Sequence, residues 1–127
     1  MGLDTYAMRL IPADDKDFEG LNLCGGIFSS SGSGFRGKVY ESFIQWVTGD
    51  EQTLYKRDQG IENITEIYNQ LQLFMKEHPD EEEAQVYLNM LLSENWIDYS
   101  ISLQEVKDLI KFFKICIDKD YRLHGWW

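Results

Sequence analysis

The sequence predicts an α+β domain, mostly helical, with about four helices packed together and a small sheet of one to three short strands from the termini. Three observations carry that expectation. Apolar residues recur at spacings of three and four through much of residues 36–117, the period of amphipathic helices. Asp80 with Glu83, and Ser102 with Glu105, place a capping oxygen three residues ahead of a carboxylate, the chemistry of a helix start. Near the N-terminus the pattern changes to alternation, the period of a strand.

Residues 2–11 read as that strand, with Leu3, Thr5, Ala7 and Arg9 facing one way and Pro12 ending it. Residues 13–20, with Asp14, Asp15, Asp17 and Glu19, read as a solvated acidic turn, because the spacing of a calcium loop is missing. A second short strand over residues 21–28 is interrupted by Gly25 and Gly26, and residues 29–34 form a Ser/Gly loop. The first helix is expected over about residues 36–48, with Val39, Phe43, Trp46 and Val47 as its apolar stripe and Gly49 ending it.

A polar connection covers residues 50–60. The second helix spans 61–77, with Ile61, Ile64, Tyr68, Leu71, Phe74 and Met75 on its apolar face, and stops before Pro79. Asp80 caps a third helix whose first-turn Glu81, Glu82 and Glu83 complement the helix dipole, with Ala84, Tyr87, Leu88, Leu91 and Leu92 facing the core. Residues 93–101 link it to a fourth helix started by Ser102, with the stripe Leu103, Val106, Ile110, Phe113 and Ile117 and a flanking row of Lys107, Lys111 and Lys114. The last residues lack helical period and are expected as a short strand beside residues 3–11.

A chain of 127 residues suits one domain, 1–127, and a 43% hydrophobic, 14% aromatic content is enough for a core without metal or disulfide staples. The net charge of -10, from 22 acidic and 12 basic residues, argues against nucleic acid or an anionic membrane and is compatible with a basic protein partner. The charge is uneven: residues 58–95 carry nine acids and one base. Two cysteines, Cys24 and Cys116, make no disulfide framework. No apolar run reaches the roughly 20 residues of a membrane span, and no signal peptide is read, so the expected location is cytoplasmic.

The candidate ligand site is the stretch from Cys24 into the first helix. Gly32 to Lys38 matches Gly-x-x-x-x-Gly-Lys, but Val39 stands where a P-loop needs the hydroxyl that binds Mg²⁺, so nucleotide hydrolysis is rejected. A Ser/Gly loop at a helix start can still offer hydrogen-bond donors to a small anion, which makes Ser29, Ser30, Ser31, Arg36 and Lys38 anion-binding candidates. Cys24 is the candidate thiol and His124 its candidate base, on the rule that a nucleophilic Cys needs both a base and a positive field. His78 beside Pro79 is less suited to that role, and Cys116 reads as core. Cys24, His78, Cys116 and His124 lack the paired spacings of a zinc fold, so no metal and no cofactor is expected. Trp126 and Trp127 are expected either docked on the body or anchoring a partner.

The segments Met1-Gly2-Leu3-Asp4-Thr5-Tyr6, Leu23-Cys24-Gly25-Gly26, Phe35-Arg36-Gly37-Lys38-Val39-Tyr40 and Gly125-Trp126-Trp127 resemble small bacterial proteins that begin Met-Gly-Leu-Asp-x-Tyr. The resemblance spans both ends and the loop but not the acidic middle. It implies a bacterial, cytoplasmic protein and brings no catalytic residues. The leading functional expectation is a non-catalytic, acidic protein-interaction module. The alternatives are a small-molecule or anion-binding protein, enzymatic or not, built on the Ser/Gly loop, and an immunity- or antitoxin-like inhibitor of a basic protein.

Overall fold

The computed structural model describes residues 3–8, 15–18, 20, 21, 23, 34–49, 51–94 and 100–126. These residues form a mostly helical α+β fold in the order β1 (Asp4–Met8), a 3-10 turn (Asp15–Phe18), β2 (Gly34–Arg36), α1 (Gly37–Val47), α2 (Ile61–Glu77), α3 (Glu81–Glu94), α4 (Leu103–Lys119) and β3 (Arg122–Trp126). The proposed strand over 21–28 lies largely outside the described residues.

The sheet is antiparallel with order β2-β1-β3, so the N-terminal strand sits between the other two. Thr5 stands opposite Phe35 on one side and Gly125 on the other, while Tyr6 stands opposite Gly34 and His124. Strand alternation then sends Leu3, Thr5, Ala7, Phe35 and Leu123 into the core and leaves Tyr6, Met8, Arg36 and His124 on the half-buried outer face. The strand expected at the C-terminus is therefore present. The second strand is Gly34–Arg36, a stretch read from sequence as loop end and helix start. Three residues are too few to show alternation, and their pairing with β1 is a long-range event.

The core is rich in rings. Phe35 meets Phe112 edge-on with centroids 5.0 Å apart, and Phe18 meets Phe112 at 4.7 Å. Phe18 thereby ties the 3-10 turn to α4, and Asp17 accepts a hydrogen bond from the Tyr121 hydroxyl. The acidic segment is docked at these two residues rather than wholly solvated.

The caps act where the sequence placed them. Ser102 and Glu105 form both halves of the capping box, and Asp80 accepts from the amides of Glu82 at 3.0 Å and Glu83 at 3.2 Å. Gly49 takes φ +62° just past α1, a conformation that costs glycine nothing. The stripe of α4 is rotated from the expected one: Leu109, Phe112 and Cys116 are buried with Leu103, Val106 and Phe113, while Ile110 and Ile117 are half-buried. This helix touches α2, α3 and the 3-10 turn, so its buried arc is wider than one stripe.

The 51–60 connection is structural too. Leu54 is fully buried, and Gln59 pairs with Leu123 through both backbone bonds, 2.8 and 3.0 Å, covering the outer edge of β3.

Candidate functional site

Of the anion-binding candidates, Arg36 and Lys38 fall within the described residues, whereas Ser29, Ser30 and Ser31 lie outside them. Arg36 is the last residue of β2 and the N-cap of α1; Lys38 is exposed on the first turn. The helix start rests on β1. The Lys38 amide donates to the Leu3 carbonyl at 3.3 Å, and Gly37 is buried so tightly that an added Cβ would collide with the Thr5 hydroxyl. That close approach is what the glycine is for. One of the amides that an anion would seek is therefore already engaged.

Arg36 and His124 share the outer face of the sheet, on the two strands flanking β1 and displaced along it, one opposite Asp4 and the other opposite Tyr6. His124 Nδ1 lies 3.5 Å from the Asp58 carboxylate, and its ring lies 5.1 Å from that of Tyr6. Burial first, and the negative charge of Asp58 second, push the Tyr6 hydroxyl pKa up. Cys24 lies outside the described residues. Cys116 is fully buried, and burial pushes its thiol up to about 12, so it is a core residue and not a nucleophile.

Two features went unseen in the sequence. The first is Glu41, an acid placed by its spacing on the flank of α1 but buried in the fold. Its carboxylate accepts from the Leu54 amide at 2.6 Å, from the Gln45 side chain at 2.8 Å and from the Thr53 hydroxyl. Burial pushes its pKa up, and the three hydrogen bonds oppose that rise. Glu41 fastens the 51–60 connection to α1, a structural task fully explained by its partners.

The second is a cleft where the ends of α1 and α2 meet α3. It holds about 220 Å³ and is lined by Trp46, Val47, Gln70, Leu73, Phe74, Glu77, His78 and Tyr87. Pro79 ends α2 and leaves His78 at its C-cap. Asp80 then starts α3, so that Tyr87 comes to lie against His78 with ring centroids 4.4 Å apart and planes 23° from parallel. Trp46 stands 6.1 Å from Tyr87 and 6.3 Å from Phe74, the latter edge-on. Phe74 is the buried floor; Trp46 is 40% exposed and Leu73 45%. Helical period puts both Trp46 and Tyr87 on core-facing stripes; Tyr87 is half-buried against the core, whereas Trp46 is exposed. The available signal was that Trp46 and Val47 are adjacent, about 100° apart around the helix, so both cannot sit at the centre of one stripe.

No protein-family model matches this chain, and no curated protein or solved structure matches it.

Among the described residues no group of three or more His, Cys, Asp or Glu side chains converges on a metal position, and no helix is long and apolar enough to cross a membrane. A larger groove of about 370 Å³ lies along α2, bordered by Asn69, Gln72, Leu73, Met75, Lys76 and Ile110. Its walls are mainly long, rotamer-rich side chains, which lose entropy when a ligand orders them. Half of the smaller cleft's lining residues are rings packed on one another, which lose less freedom when a ligand binds, and it is the better-formed site.

Proposed function

We propose that this protein is a non-catalytic interaction module that docks a basic segment of a protein partner beside the turn between α2 and α3. The observation that carries the reading is the half-exposed Trp46 in a ring-lined cleft, with Leu73 at its edge and Val86 and Met90 exposed on the neighbouring helix. Val86 and Met90 are four residues apart, and Tyr87 and Met90 three apart, so all three lie on one flank of α3. Exposed apolar groups gathered in this way are what a docking surface offers, and tryptophan is enriched among the residues that dominate binding energy.

The choice of a basic partner rests on charge. Glu77, Asp80, Glu81, Glu82 and Glu83 surround the turn, and Lys76 is the one base between residues 58 and 95. Such a field speeds encounter with a positive surface and repels a negative one. Inhibition of a basic protein is one form this binding takes.

Immobilised wild-type protein and the Trp46→Ala variant, exposed to native cell extract, test the reading. The expected result is a protein with a basic segment, identified by mass spectrometry and rebound after purification, whose affinity falls about thirtyfold in the variant. Equal retention by both proteins overturns it.

A further inference from the structure

We infer that the cleft between α1, α2 and α3 is a receptor for a single alkylammonium or guanidinium group, the side chain of one Lys or Arg in the docking segment. This inference rests on the docking reading above and names the chemistry of its central contact. Four rings line the cleft: Trp46, Phe74, His78 and Tyr87. Their centroids lie 4.4 to 6.3 Å from their neighbours, and their planes are inclined by 23° to 85°. The four rings thus border one space, and a ring face attracts a cation within about 6 Å of its centroid.

The size points the same way. A volume of about 220 Å³ falls below the roughly 300–1,000 Å³ typical of drug-sized ligand sites. It suits one side chain rather than a nucleotide or cofactor. An aliphatic stem would lie along Leu73 and Val47 while its charged head reaches the rings, the way long cationic side chains divide between apolar and polar surroundings.

The polar groups select the sign of the ligand. Glu77 and Gln70 are the polar non-aromatic members of the lining, and among the described lining residues there is no Lys or Arg. A carboxylate at the mouth offers a cation its second partner and repels an anion. The exposed acids of the first turn of α3 extend that preference beyond the cleft: Glu82 and Glu83 face solvent, and Glu81 is paired with Lys107. The rings would also accept a neutral apolar side chain, but the attraction of their faces for positive charge, together with the carboxylate, makes a cation the preferred occupant.

The decisive test compares two short N-acetylated Gly/Ser peptides, with no other Lys or Arg, that differ at one central position. One carries trimethyllysine there, and the other carries its neutral carbon isostere, with a tert-butyl group replacing the trimethylammonium. Binding is followed by NMR at fixed ionic strength, using the Trp46 indole N–H, assigned by its loss in Trp46→Phe. The cationic peptide is expected to bind about fivefold more tightly than the isostere, with the Trp46 resonance shifting. Tyr87→Ala should remove that discrimination. Glu77→Lys changes an exposed position without opening the core, and should weaken the cationic peptide at least about fivefold at an unchanged melting temperature.

Equal affinities overturn the cation inference. If Trp46-dependent capture of a basic protein persists alongside them, the docking reading stands and only its chemistry falls. No Trp46 shift with either peptide at millimolar concentration overturns the cleft as a receptor. A homodimer in sedimentation that Trp46→Ala dissolves also overturns it, since the cleft is then covered by a second copy of the chain. Loss of Trp46 dependence in the capture experiment removes the docking reading whatever the peptides show.

Discussion

Helices α3 and α4 are neighbours with similar starts and opposite uses. Each begins at a side-chain cap, Asp80 in one and Ser102 in the other, and each carries acid in its first turn. Yet α4 buries Leu103, Val106, Leu109, Phe112, Phe113 and Cys116, whereas α3 buries Ala84, Leu88, Leu91 and Leu92 and leaves Val86 66% and Met90 49% exposed. The difference is not one of helix propensity or capping. The α4 helix stands where α2, α3 and the 3-10 turn surround it; α3 has a free flank, and the sequence places apolar groups there. The same split divides α1, whose Phe43 and Ile44 are fully buried while Trp46, a few residues on, reaches the cleft. Apolar groups on the closed side stabilise the fold, and those on the open side are available for binding.

Substitutions should separate these roles. The largest effect is expected for Phe112→Ala, which removes a ring in contact with Phe18, Phe35 and Phe113. Chemical denaturation should report a loss of about 3–5 kcal/mol, and a loss below about 1 kcal/mol would show that the closed side is not packed as described.

Next is Gln85→Ala. Gln85 of α3 accepts from the Leu103 amide at 2.6 Å and donates to the Ile101 carbonyl at 3.1 Å, so it caps α4 from outside. Its removal leaves an N-terminal amide of α4 without this acceptor and should cost about 1–2 kcal/mol by the same measurement. An unchanged stability would mean that the two helices are independent at this point.

Glu41→Gln acts through pH. Burial raises the folded-state pKa of Glu41 above its ordinary value of 4.5. Between that value and the folded-state pKa the native state holds a proton that the unfolded state has released, so Glu41's contribution, fully present below the ordinary value, declines as pH rises through this window. Stability measured across this window should fall with pH in the wild type relative to Glu41→Gln. Parallel profiles would exclude a raised pKa.

The smallest effect on stability, within about 0.5 kcal/mol, is expected for Val86→Lys combined with Met90→Lys. The same variant should lose affinity for a basic partner through like-charge repulsion. A loss of several kcal/mol in its melting profile would place these residues in the core and erase the contrast between the two sides.

Much of the architecture was legible in the chain. The limits of α2, the Asp80 cap, the Ser102–Glu105 box and the Gly49 stop each depend on a few adjacent residues and on backbone chemistry that acts over one turn. The candidate site was less so. Arg36 and His124 were chosen for their chemistry, and the sheet places them on one outer face, but the partners of His124, Tyr6 and Asp58, come from elements far away in sequence. The cleft was missed because helical period reports which residues could face a core, not which helix flank a neighbour will cover.

The sequence by itself determined the limits of α2, the starts of α3 and α4 and the stop of α1, that the chain is acidic, and that the acid gathers in residues 58–95. These are properties of composition and of contacts within a turn. Only the tertiary structure decided that Gly34–Arg36 is a strand, that Glu41 is buried, and that Trp46, His78 and Tyr87 share one cleft. Each of those depends on a partner at least a dozen residues away, and burial is settled by what covers a side chain rather than by the side chain itself.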